Sequence, residues 1–215
     1  MEEVQLKVQV NSRFYTLGKL GPRTKYFWIV CHGYGQLAKF FIKKFSELDA
    51  NDHFIVAPEG LNRFYLEGFS GRIGASWMTK EDRLNDIKNY CEQLNGIRDH
   101  FEKQMNKDCK IIHLGFSQGA ATISRWMARE QKKCDHLILW GGRIAHEVNS
   151  ESLRSRFKKG HIVFGSQDEF YSRDKVLLYL EKIKEEGFDF TTHSYEGGHS
   201  IDPIFISELS RDFKI

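Results

Sequence analysis

Short apolar runs recur along the chain, each closed by a turn residue or a polar stretch. Tyr26–Cys31 is one. His53–Ala57 is stopped by Pro58, Lys110–Leu114 runs into a glycine, His136–Trp140 ends at Gly141-Gly142, and His161–Phe164 ends at Gly165. Runs this short and this continuously apolar suit strands covered on both faces. Phe188–Tyr195 is the last strand candidate. The segments between them have helical periodicity. From about Glu81 to Met105, the residues Leu84, Ile87, Cys91, Leu94, Ile97, Phe101 and Met105 form one apolar stripe. Ser172 to Glu186 carries another stripe, with Val176, Leu177, Leu180 and Ile183. Asp202-Pro203 reads as a helix N-cap and first position, with Ile206 and Leu209 pointing inward. Strands that alternate with helices predict a mostly parallel central sheet, flanked by helices and joined by right-handed crossovers. Val4–Val10 and Phe14–Leu20, around Asn11-Ser12-Arg13, predict an antiparallel N-terminal pair.

A chain of 215 residues with no linker and no internal repeat is expected to form a single α/β domain over residues 1–215. Its net charge of +3, with acids and bases mixed throughout, gives no case for nucleic acid. The run Arg154–Lys159 and the cluster Lys39, Lys43 and Lys44 are expected to be solvated faces. The opening residues Met1–Leu6 are too polar for a secretory signal, and no apolar stretch is long enough to cross a bilayer. Stable membrane insertion is therefore not expected. Cys31, Cys91, Cys109 and Cys134 lack the spacing of a disulfide framework or a metal site. They read as reduced core thiols of a cytoplasmic protein.

The chemistry points to residues 110–127. A short strand ends in Gly115-Phe116-Ser117-Gln118-Gly119, and the helix-forming stretch Ala120–Met127 follows. Strand, sharp turn with serine, helix is the setting in which G-x-S-x-G is a nucleophile elbow. The turn lifts the serine hydroxyl above the sheet edge and brings the free N–H groups of the helix start beneath it. A serine needs a base, and the base needs an orienting acid. On such a sheet the acid and then the histidine follow the serine, each after a strand. Asp168, in the turn Gly165-Ser166-Gln167-Asp168, is the best-placed acid, with Glu169 as the fallback. His199, in Gly197-Gly198-His199-Ser200, is the best-placed base; His193 lies within a strand. The oxyanion donors are expected to be the backbone amides of Gln118 and Tyr34, the latter in His32-Gly33-Tyr34-Gly35. His32 comes too early to be the base and reads as a structural residue. Cys31 reads as a packed thiol.

Taken together, His32–Gly35, Ala75-Ser76-Trp77, Gly115–Ala120, Gly165–Asp168 and Tyr195–His199 resemble the phospholipase/carboxylesterase family of α/β-hydrolases, which includes acyl-protein thioesterases. The resemblance covers most of the chain. It implies an α/β-hydrolase fold and a Ser117, Asp168, His199 triad with Tyr34 and Gln118 amides as oxyanion hole. It also implies no metal and no cofactor. The substrate it implies is a small acyl ester, as for a carboxylesterase or lysophospholipase, or alternatively an acyl thioester. A non-catalytic binding protein on the same scaffold is the rival. The chain departs from the family at Tyr34 and Gln36, where leucine and aspartate are frequent, at Ala120, a frequent glycine, and at Phe164, a frequent histidine. Those departures bear on the shape of the acyl pocket. Residues 59–79 are glycine-rich and aromatic without clear periodicity, too long for a plain connection. They sit where the family builds part of its substrate cleft, so Trp77, Phe69 and Tyr65, with Phe64, are candidate walls of an apolar acyl site. Oligomeric state is left open, a homodimer included.

Overall fold

The computed structural model describes residues 1–213. Among the described residues nine strands form, in chain order: β1 (Phe14–Leu17), β2 (Tyr26–Cys31), β3 (His53–Pro58), β4 (Asn62–Glu67), β5 (Ser70–Ser76), β6 (Lys110–Phe116), β7 (Cys134–Trp140), β8 (Phe157–Gly165) and β9 (Phe190–Tyr195). Seven of them make one sheet in the order β1-β3-β2-β6-β7-β8-β9, parallel except where β1 runs against β3. The helices are α1 (Ala38–Phe41), continued by a 3-10 turn over Ile42–Phe45, α2 (Arg83–Glu102), α3 (Gln118–Arg129), α4 (Ser150–Arg154), α5 (Arg173–Glu185) and α6 (Pro203–Arg211).

Side chains alternate across each strand, which explains why the central runs are apolar throughout. Phe27, Ile29 and Cys31 of β2 pack with α2 and α3, whereas Tyr26, Trp28 and Val30 pack with α1 and α6. The expected stripe on α2 is buried at Ile87, Cys91, Leu94, Ile97 and Phe101, while Leu84, at the helix start, is exposed. Asp202 caps α6 as expected, its carboxylate accepting from Phe205 N at 2.8 Å, with Pro203 first in the helix. The basic run at 154–159 ends α4 and opens β8, where Lys158 is exposed and pairs with Asp135 at 2.7 Å.

Two expectations are corrected. Val4–Val10 is not a strand: it is exposed and lies apart from the sheet, and the antiparallel partner of β1 is β3, by way of Phe14↔Pro58 to Leu17↔Ile55. Alternation alone does not make a strand; it must also find an edge with a buried face. Residues 59–79 are not irregular either. They form the antiparallel hairpin β4–β5, turned by Gly68 at φ 78° and Phe69. Glycine at the first position of a two-residue loop is a hairpin signature. The periodicity was faint because both faces of the hairpin are largely exposed.

The hairpin is anchored at its base. Glu59 is fully buried; its carboxylate accepts from Arg13 and Arg63 at 2.7 Å each and from Ala38 N at 3.2 Å. Burial would raise the pKa of Glu59, but the hydrogen bonds from Arg13 and Arg63 outweigh it and hold the carboxyl below its usual range. The mixed sheet, its helical layers and the placement of the strand–turn–helix at its centre are those of an α/β-hydrolase.

Candidate active site

The turn between β6 and α3 is strained in a particular way. Ser117 has φ 53° and ψ −115°, a conformation that side-chain-bearing residues rarely adopt. Its surroundings enforce it. A Cβ on Gly115 would stand 2.3 Å from Gly119 O, and one on Gly119 would stand 2.1 Å from Cys31 O. Strand and helix can therefore meet this tightly only with glycine at both positions. The bond from Ser117 N to Trp140 O (2.9 Å) fixes the turn to β7.

The loops after β8 and β9 meet over this turn. Ser166 N donates to Tyr195 O (2.8 Å) and Gln167 N to Gly197 O (2.9 Å). The second loop is further held by Trp140 Nε1 donating to Ser200 O at 3.0 Å and by Tyr195 Oη donating to Gly198 O at 2.9 Å. His199 is thus carried to the serine: its Nε2 is 3.0 Å from Ser117 Oγ, and its Nδ1 is 2.7 Å from Asp168 Oδ2. A carboxylate can only accept, so Nδ1 carries the proton and Nε2 faces the serine hydroxyl as acceptor. Asp168 is 4 % exposed, and its other oxygen accepts from Phe170 N (2.9 Å) and Tyr171 N (3.0 Å). Glu169 points to solvent, so the acid in contact with the histidine is Asp168. The His199 ring lies among Phe116, Phe170 and Tyr171, at centroid distances of 4.9, 4.9 and 6.0 Å.

The two expected oxyanion donors come from neighbouring segments. Gln118 N is one of the free amides at the start of α3. The start of α3 packs on Cys31 and His32, where the Tyr34 loop begins, and Tyr34 N donates to no acceptor among the described residues. His32 is structural: Nδ1 donates to Gly33 O (2.8 Å), Nε2 accepts from Gly60 N (3.0 Å), and burial pushes its pKa down to about 4. Burial pushes the Cys31 thiol up, out of nucleophilic range.

The expected acyl walls are placed differently. Trp77 is 1 % exposed, its indole donating to His32 O at 2.8 Å and packing on the His32 ring. An aromatic this deep supports the loop from beneath and offers no open wall. Phe69 is 99 % exposed at the hairpin tip, and Tyr65, within β4, is also exposed. What the hairpin brings to the Tyr34 loop is Phe64, whose ring packs on Tyr34 at 5.1 Å, and backbone pairing of Gly35 N with Ala75 O at 2.9 Å.

Three features went unread in the sequence. The Gln118 side chain clamps the hairpin's exit: Oε1 accepts from Trp77 N (3.1 Å), and Nε2 donates to Met78 O (3.0 Å) and Ser76 Oγ (3.1 Å). Gly141-Gly142 makes room for the site. A Cβ on Gly141 would come within 3.1 Å of the His199 ring, and one on Gly142 within 2.7 Å of Ser117 O. A glycine pair directly after a strand next to the elbow was the available signal. Arg143 follows that pair, its guanidinium lying 5.4 Å from the Tyr171 ring centre and 5.0 Å from that of Tyr179. Among the described residues no group of His, Cys, Asp or Glu is arranged to hold a metal, and no helix is long and apolar enough to cross a membrane.

No protein-family model matches the sequence, and no curated protein is significantly similar to it. Solved structures are similar in fold. A carboxylesterase from Mesorhizobium loti superposes with a TM-score of 0.70 at 17 % identity, covering 93 % of this chain and 94 % of its own. Acyl-protein thioesterase 2 of Zea mays superposes with 0.69 at 16 % identity, covering 94 % and 98 %. A phospholipase/carboxylesterase from Dyadobacter fermentans superposes with 0.65 at 18 %, covering 94 % and 97 %. At these identities the likeness is one of architecture: the chain has the fold shared by these esterases and thioesterases, over nearly its whole length.

Proposed function

We propose that the chain is a serine hydrolase of carboxylic esters, acting through an acyl-enzyme on Ser117, as one α/β-hydrolase domain. One observation carries the reading: Ser117 Oγ, His199 Nε2, His199 Nδ1 and Asp168 Oδ2 form one continuous hydrogen-bonded line of 3.0 and 2.7 Å at a strained elbow. In this scheme His199 takes the serine proton as Oγ attacks the acyl carbon, and Asp168 stabilises the imidazolium. The amides of Gln118 and Tyr34 receive the oxyanion, each worth roughly 3–4 kcal/mol in the transition state. His199 then protonates the leaving alcohol or thiol. Water, deprotonated by the same imidazole, attacks the acyl carbon and frees the acid. The chemistry needs no metal or cofactor. The substrate is a small acyl ester, with a thioester as the other leaving-group class the same line can serve. Four free, buried thiols suit a reducing, cytoplasmic setting.

The test is turnover of p-nitrophenyl esters and matched thioesters by the wild-type protein and Ser117→Ala, with fluorophosphonate labelling alongside. Removing the nucleophile is expected to cost on the order of 10⁴–10⁶ in kcat, and labelling should map to Ser117. Equal turnover by both proteins, or a folded wild-type protein that takes no label, ends the proposal and favours a binding protein on this scaffold.

A further inference from the structure

The arginine beside the site is held but not neutralised. Arg143 lies over the faces of Tyr171 and Tyr179, each within the range at which a guanidinium is attracted to a ring. Its one hydrogen bond among the described residues is long, Nη2 to Lys175 O at 3.4 Å. No carboxylate among the described residues lies within ion-pair distance of it. The nearest acid along the chain, Glu147, is taken by Arg83 and Arg125, the latter at 2.6 Å. Asp168 is committed to His199 and to two backbone amides. Position gives this cation its meaning. It directly follows Gly142, which packs on Ser117, and its ring partner Tyr171 lies parallel to His199, with 11° between the planes. A guanidinium fixed by two aromatic faces keeps its edge donors free for a planar or tetrahedral anion.

We infer that Arg143 recognises an anionic group, a carboxylate or a phosphate, on the substrate of the Ser117 site, so that preferred esters carry a negative charge close to the scissile bond. The inference rests on the serine hydrolase reading and narrows it from esters in general to charged ones. Arg143 is a specificity residue here; the reacting atoms belong to Ser117 and His199.

Two substrate pairs separate the sources of charge. In the acyl arm, the p-nitrophenyl half-ester of glutaric acid is compared with its neutral methyl ester. In the alcohol arm, butyryl glycerol phosphate is compared with butyryl glycerol. The readout is the ratio of kcat/KM, charged over neutral, for wild type, Arg143→Gln and Arg143→Lys. In at least one arm the wild-type ratio should exceed one. In Arg143→Gln that ratio should fall at least about tenfold, mainly through KM, as loss of a charge-assisted bond entails. Arg143→Lys should recover part of it, since charge is kept and the fork is lost. A readout independent of turnover is calorimetric binding of glutarate and of glycerol phosphate to Ser117→Ala, with and without Arg143→Gln; one of the two anions should bind, and only when Arg143 is present. Ratios near one in both arms overturn the inference, as does a charge preference or anion binding that survives Arg143→Gln. Failure of the hydrolase reading looks different: no fluorophosphonate adduct and no turnover of any ester, whatever residue stands at 143.

Discussion

Two groups of histidines in this molecule meet opposite fates. His199 sits at the sheet's carboxyl edge between a hydroxyl and a buried carboxylate, 3.0 and 2.7 Å away. His136, His161 and His193, on the neighbouring strands β7, β8 and β9, hydrogen-bond to one another. His136 Nδ1 meets His161 Nε2 at 3.0 Å, and His161 Nδ1 meets His193 Nε2 at 3.1 Å. Phe213 covers the ladder, its ring 4.2 Å from that of His136. Each nitrogen-to-nitrogen bond needs one donor and one acceptor, so two rings that share a bond cannot both be protonated. Burial accordingly pushes His136 down to about 4 and His161 to about 3, and pushes His193 down as well. Imidazole chemistry is the same in both places. A hydrogen-bonded carboxylate on one side and a hydroxyl on the other make one histidine a candidate base, whereas hydrogen bonds to one another make the other three structural.

The sharpest way to break this contrast is to truncate one ring on each side. His199→Ala should lower ester turnover by on the order of 10⁴–10⁶, with a melting temperature close to wild type. If turnover survives, His199 is no different from the ladder. His161→Ala should do the reverse, because it removes the centre of the ladder and leaves the buried His136 and the half-buried His193 without a partner. The expected loss is about 2–4 kcal/mol, read as a fall of about 2–4 °C in Tm for each kcal/mol, with Ser117 still labelled by fluorophosphonate. An unchanged Tm would show the ladder to be incidental.

Acid gives a graded version of the same test. His32, His53, His136 and His161 are all lowered by burial, to about 4, 4, 4 and 3. In the unfolded chain a histidine titrates near 6.5, so below that pH the unfolded state binds more protons than the folded one. Their stabilisation is complete above about pH 6.5 and drains away as pH falls toward 4. Calorimetric Tm values at pH 8, 6.5, 5 and 4 should be level between the first two and then decline, less steeply in His161→Ala. A steady Tm down to pH 4 would contradict the folded-state shifts. The smallest effect concerns backbone strain, which the site has and the ladder lacks. Ser117→Gly should be more stable than Ser117→Ala by about 1 kcal/mol, because glycine accepts positive φ freely. Equal denaturation midpoints would mean the elbow stores no strain.

Much of this was legible in the residues. The central strands announced themselves by continuous apolar runs, α2 by its stripe and α6 by Asp202-Pro203. Ser117, Asp168 and His199, which meet in one hydrogen-bonded line, could be named as candidates because each follows a strand end and because the order of such residues along this kind of sheet is constrained by topology. The outer parts were harder. Val4–Val10 alternates like a strand yet pairs with nothing in the sheet, and β4–β5 forms a hairpin whose pattern is blurred by exposure on both sides. Trp77 looked like a cleft wall because an aromatic near a site suits either a wall or a core, and only burial separates them. Arg143 gave no signal, since a lone arginine after a glycine pair has meaning only beside the rings and serine that folding brings to it.

The order of strands, helices and turn glycines was thus written in local residue patterns, because periodicity and steric permission act over a few residues. The tertiary structure alone decided that His199 joined a serine to a carboxylate, which aromatic rings were buried and that Arg143 has no acid within ion-pair distance among the described residues. Those outcomes depend on neighbours distant in the chain, and charge, burial and hydrogen bonding are properties of the assembled surroundings.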